Sequence, residues 1–112
     1  MKRNKYNAIK TMYNGVLYDS RKESRRAAEF DLLRRAEDPK ERVIFVARQV
    51  PFKFAYGGKY FADFLVCYAS GPEGIPTWKL YDVKGGNATK TQAYRIKRKL
   101  LKLEYGIDLE EI

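Results

Sequence analysis

The spacing of apolar and polar positions divides the chain into a hairpin, a helix, three or four strands, a second helix and a closing strand. Thr11 to Tyr13 and Val16 to Tyr18 flank Asn14-Gly15, a dipeptide that accepts the positive φ of a two-residue type I′ turn and so predicts a small hairpin. Ser20 followed by Glu23 is a capping-box pattern. The Ala, Leu, Arg and Glu that follow to about Glu37 favour a helix, which Asp38-Pro39 stops. Val43 to Val46 is a β-branched and aromatic run. Val50, Phe52 and Phe54 then alternate with Pro51, Lys53 and Ala55 before Gly57-Gly58, predicting one long or two short strands.

Tyr60 to Tyr68 reads as a strand covered on both faces, apolar at nearly every position except Asp63. A loop rich in Gly and Pro follows from Ser70 to Pro76, and Thr77 to Lys84 is the returning strand before Gly85-Gly86. From about Thr91 to Tyr105, Tyr94, Ile96, Leu100, Leu101 and Leu103 fall among Arg95, Lys97, Arg98, Lys99 and Lys102. Gly106 stands where a helix commonly ends. Ile107 and Leu109 suit a short final strand. The expected architecture is α/β: a central mixed sheet flanked by helices, with an N-terminal hairpin.

Composition bounds this picture without altering it. The 112 residues suit one domain, and 45% hydrophobic residues suffice for its core. No apolar run approaches the roughly 20 residues of a membrane span, and Met1 to Met12 carries no apolar segment of the signal-peptide kind. A cytoplasmic protein with no membrane partner is therefore expected. The single Cys67 has no internal disulfide partner, and the lack of His excludes Ser-His-Asp triads and His-based zinc sites. Any metal would be held by oxygen.

The net charge of +9 favours a polyanionic partner. Lys2, Arg3, Lys5 and Lys10 form an acid-free N-terminal stretch, and Lys84 to Lys102 hold seven bases with no acid among them. Either stretch suits a phosphate backbone. A solvated surface without a partner is the plainer reading of such runs.

Candidate chemistry rests on a few ionisable residues inside apolar strands, where they are costly unless paired or metal-bound. Asp82 and Lys84, two apart, project to one face of their strand. Antiparallel pairing of the two strands would bring Asp63 beside Asp82. Crowded carboxylates repel one another unless a hard cation such as Mg²⁺ binds them. The acid-x-Lys spacing is weak by itself, since Asp38-Pro39-Lys40 repeats it in a loop, and an Asp63–Lys84 ion pair across the sheet is a plain structural alternative.

Ser20-Arg21-Lys22-Glu23, Tyr60-Phe61-Ala62-Asp63-Phe64 and Tyr81-Asp82-Val83-Lys84-Gly85 resemble, in order and spacing, the three signatures of the PD-(D/E)XK nuclease superfamily. The similarity is to its small phage-encoded branch, which includes endonuclease I type Holliday-junction resolvases, and it spans roughly residues 5 to 110. Ala62 stands where Pro often precedes the Asp, and Asp82 where Glu is frequent; neither departure removes a ligand.

The resemblance implies a restriction-endonuclease-like fold within one nuclease domain, residues 1–112, with a basic arm and hairpin over 1–19 and an αβββαβ core over 20–110. It implies that Glu23, Asp63 and Asp82, with the Val83 carbonyl, bind one or two Mg²⁺ ions, Mn²⁺ substituting, and that Lys84 positions or deprotonates the attacking water or stabilises phosphorane charge. Helical periodicity offers Glu29 as an alternative first-helix acid, because it groups with Ala28, Leu32, Leu33 and Ala36. Gln49, polar among strand residues, is a possible accessory that could orient water or phosphate.

Thr89, Lys90, Arg95, Lys97, Arg98 and Lys99 are the expected DNA phosphate contacts, which position rather than specify. The expected function is a metal-dependent endodeoxyribonuclease acting on branched DNA, such as a Holliday junction, in phage recombination or processing within a bacterial host. One active site per chain makes a homodimer the expected form for cutting two strands. A non-catalytic basic nucleic-acid-binding protein on the same fold is the alternative. A structural phage protein associating through its nine Tyr is another.

Overall fold

The computed structural model describes residues 9–84 and 91–112. Most of the N-terminal basic arm (Lys2, Arg3, Lys5), the Gly85-Gly86 turn, Thr89 and Lys90 lie outside the described residues. The element order is β1 (Thr11–Tyr13), β2 (Val16–Tyr18), α1 (Arg21–Leu33), β3 (Val43–Lys53), β4 (Lys59–Tyr68), β5 (Thr77–Asp82), α2 (Gln92–Leu100), a π-helical turn (Leu101–Tyr105) and β6 (Leu109–Glu111). Among the described residues the predicted architecture is present: a two-stranded hairpin sheet, a four-stranded sheet in the order β3-β4-β5-β6, and two α-helices. β4 pairs antiparallel with both β3 and β5, whereas β6 returns through α2 to lie parallel to β5, making the sheet mixed. Among the described residues no helix is long and apolar enough to cross a membrane.

The hairpin turns at Asn14 (φ 49°) and Gly15 (φ 79°), the left-handed pair that a type I′ turn needs. Helix α1 starts where the cap predicts, with Ser20 Oγ accepting the Glu23 N–H at 3.1 Å. It stops at Leu33, short of the expected Glu37. Beyond it, Arg42 donates to the Ala36 and Glu37 carbonyls at 2.9 and 2.8 Å, fixing that segment outside the helix. The two possible strands after it are one, with an irregularity in its pairing between Val43 and Phe45.

Two apolar clusters cover the sheet. Leu80 and Tyr81 are adjacent in β5, so they point to opposite faces. Tyr81 joins Tyr18, Ala27, Phe30, Val43, Phe64 and Val66 beneath α1 and the hairpin. Leu80 joins Phe54, Tyr60, Ala62, Leu101 and Leu109 beneath α2 and the π-helical turn. Phe30 anchors α1 through an edge contact with Phe64 at 5.2 Å and a stacked contact with Tyr81 at 5.6 Å between ring centres. Truncating a buried ring such as Phe64 to Ala would cost about 3–5 kcal/mol. These contacts fix the rotation of α1, and with it which of its acids faces the sheet. β4 is less enclosed than its sequence suggests, since Phe61 is half exposed.

Candidate active site

Helix α1, the middle of β4 and the end of β5 bring four of the expected residues together. Glu23 sits in the first turn of α1 on the face that carries Ser24, Ala27 and Phe30, and is only 5% exposed. The recorded pairing of β4 with β5 ends at Phe64↔Tyr81, and continuing that register sets Asp63 opposite Asp82. Past that point the Asp63 side chain takes over from backbone pairing. Its Oδ2 accepts the Val83 N–H at 2.7 Å, and its Oδ1 accepts from Gln49 Nε2 at 3.3 Å.

Asp82 is 7% exposed. Its Oδ1 accepts from the Tyr60 hydroxyl at 2.8 Å, and its Oδ2 lies 2.5 Å from Lys84 Nζ. The i, i+2 spacing does place acid and lysine on one side, and the ion pair joins Lys84 to Asp82 rather than to Asp63. The Lys84 ammonium also lies 3.6 Å from the centre of the Tyr94 ring. The backbone here is clamped from the other edge: Ile112 N–H donates to the Asp82 carbonyl and Lys84 N–H to the Ile112 carbonyl, each at 2.9 Å. Lys22 Nζ donates to the Lys84 carbonyl, tying the first turn of α1 to this segment.

Electrostatics follow from this crowding. Burial, then the negative charges of Asp82 and Glu23, push the Asp63 carboxyl up to about 9. Burial also raises Glu23, while hydrogen bonds from Asp63 and the Asp19 backbone and the Arg48 charge partly offset it. Crowding of Glu23, Asp63 and Asp82 thus disfavours full ionisation of the cluster. Burial and the adjacent Asp82 raise the Tyr60 phenol, so it remains a donor.

Three hard oxygen donors with a surplus of negative charge fit a divalent cation in donor type and charge. Glu23 and Asp63 are already in contact, whereas Asp82 is turned to Lys84 and Tyr60. Among the described residues no three such side chains converge on one point in this arrangement.

Two of the expected residues have partners away from this cluster. Glu29 is exposed and pairs with Arg26 at 3.0 Å, because packing of Ala27 and Phe30 turns its arc of the helix to solvent. Arg98, although exposed, is fastened to β6, bonding Glu111 at 3.2 Å and the Leu109 carbonyl at 3.0 Å, so part of its charge is already engaged within the fold. Arg95 and Lys99 are exposed on α2, and Lys97 is partly buried.

Sequence reasoning missed Tyr60, Tyr94 and Arg48. The two tyrosines passed as apolar filling, although a hydroxyl three residues before Asp63 was a usable signal. Arg48 stacks over the Tyr18 ring at 4.6 Å with its Nε buried and unpartnered among the described residues. A cation inside an apolar strand was as anomalous as Asp63 and could have been found on the same ground.

No curated protein and no solved structure matches this chain. A family model described as "Protein of unknown function (DUF1064)" matches residues 3–110. With nearly its whole length covered, the chain belongs to the DUF1064 family.

Proposed function

We propose that the protein is a metal-dependent DNA endonuclease of the PD-(D/E)XK type. The observation that carries this reading is the meeting of a helix Glu, a mid-strand Asp and an acid-x-Lys pair, crowded enough to push the Asp63 carboxyl up. Glu23, Asp63 and Asp82, with the Val83 carbonyl, would hold Mg²⁺ or Mn²⁺. Such an ion supplies phosphate polarisation and a more acidic water.

The chain's own residues supply placement. Gln49 and the Val83 N–H orient Asp63, while Tyr60 and Lys84 orient Asp82. Lys84, held between Asp82 and the Tyr94 ring, brings a cation to where a phosphoryl group accumulates negative charge. Arg95, Lys97 and Lys99 extend a positive surface along α2, suited to backbone contacts that carry little sequence information. Selectivity for branched DNA in phage recombination, in the cytoplasm of a bacterial host and as a homodimer, completes the proposal. Labelled four-way junction, flap, nicked duplex, duplex and single-stranded DNA, each incubated with Mg²⁺, Mn²⁺ or EDTA, test it. Cleavage of branched substrates that EDTA abolishes is expected, and no cleavage of any substrate with either ion would refute it.

One feature favours a second reading, a non-catalytic DNA-binding protein. The Asp82–Lys84 pair and the Tyr60 bond already satisfy half of the cluster internally. Tight DNA binding unaffected by EDTA and without cleavage would select that reading.

A further inference from the structure

Gln49 occupies an anomalous place in β3. The strand pairs with β4 on both sides of it, Arg48 with Phe64 and Val50 with Ala62, so Gln49 stands opposite Asp63. Its φ is 51°, in the left-handed region that a side chain with a Cβ adopts at a cost. The other described non-glycine residue with positive φ is Asn14 in the hairpin turn, where that conformation is the ordinary one. Glutamine has neither the turn context nor the short side chain by which Asn and Asp tolerate this region. Backbone strain in mid-strand persists only where surrounding contacts hold it, and such positions concentrate at functional sites.

Here the strained residue donates from Nε2 to Asp63 Oδ1 at 3.3 Å, while the other carboxylate oxygen takes the Val83 N–H at 2.7 Å. We propose that Gln49 is a positioning residue that fixes the Asp63 carboxylate for divalent-cation binding, its unfavourable backbone being retained for that contact. This inference rests on the nuclease reading for its purpose, though not for its test. An amide suits the task on chemical grounds. Lys or Arg at this position would neutralise Asp63 and compete with a bound cation, and Glu or Asp would add a fourth carboxyl group to the cluster. A neutral donor orients the carboxylate and leaves its charge available.

The test compares Mn²⁺ affinity, by electron paramagnetic resonance, with the thermal midpoint for the full chain and for Gln49→Gly and Gln49→Ala. Gly removes both strain and amide, whereas Ala keeps the strain and loses the amide. Both variants are expected to bind Mn²⁺ about 10- to 100-fold more weakly, the usual effect of losing a partner of a metal ligand. The Gly variant should melt no lower than the wild type, and the Ala variant below the Gly variant. Wild-type Mn²⁺ affinity in Gln49→Gly would overturn the assignment, as would losses of affinity that merely track the midpoints. A wild type that binds no Mn²⁺ overturns both this inference and the nuclease reading. A wild type that binds Mn²⁺, is weakened by Gln49→Gly and cuts none of the DNA panel keeps the role of Gln49 and removes the nuclease.

Discussion

The Asp63 carboxylate accepts the Val83 backbone N–H at 2.7 Å, so the lone acid of β4 is bonded directly to the middle residue of the acid-x-Lys segment. This contact takes up where the β4–β5 backbone pairing stops, and it keeps Asp63, Asp82 and Lys84 in one neighbourhood. Changes at either motif should therefore be felt at the other.

Asp63→Asn and Asp82→Asn should each abolish Mg²⁺-dependent DNA cleavage while leaving DNA affinity largely unchanged, because a lost metal ligand affects the reaction more than the phosphate contacts. Lys84→Ala should slow cleavage by roughly 10²- to 10⁴-fold, the range for a lost acid-base group. Single-turnover rates beside anisotropy titrations separate the two effects. Full activity in either Asn variant would remove the site.

Asp63 should also make stability depend on pH. Its folded pKa of about 9 lies above the unfolded value of roughly 3.9. Its favourable contribution is thus complete below the unfolded pKa and is lost as pH rises towards and through 9. In EDTA, Asp63→Asn should melt above the wild type at neutral pH, by a margin that widens from pH 5 to 9. Mg²⁺ should narrow it. Thermal denaturation across that range is the measurement, and a margin independent of pH would contradict the crowding.

The choice of helix acid is testable in one pair of variants. Glu23→Gln should impair cleavage, since Glu23 is buried against Asp63, whereas Glu29→Gln should change little, since Glu29 is exposed beside Arg26. The Ser20 cap uses the Glu23 backbone N–H, which the Gln variant keeps. A comparable circular-dichroism spectrum would confirm that lost activity is not lost folding.

Salt dependence should locate the DNA. Reversing both Arg95 and Lys99 to Glu should flatten the slope of log affinity against log salt by about 0.9 per lost contact on duplex, equally for unrelated sequences. Arg98→Glu should instead lower the melting temperature, because it sets like charges against Glu111. An unchanged slope in the double reversal would move the DNA off α2.

Local chemistry made much of the fold legible in the sequence. Asn14-Gly15 set the hairpin turn, Ser20 the start of α1, and Gly106, at φ 70°, the end of the π-helical turn. Each depends on residues within a few positions of one another, as does the pairing of Asp82, the last residue of β5, with Lys84 just beyond it. Tertiary packing decided the rest. Periodicity alone left Glu23 and Glu29 in competition, and the Phe30 contacts with Phe64 and Tyr81 rotated α1 so that Glu23 turned inward. Arg98, one of several similar bases along α2, became a brace only because β6 returned beside it carrying Glu111. Gln49 has a left-handed backbone that no turn or glycine beside it in sequence announces. Proximity along the chain determines turns and caps, whereas helix rotation, ion-pair choice and strain are set by partners distant in sequence that only the packed core brings together.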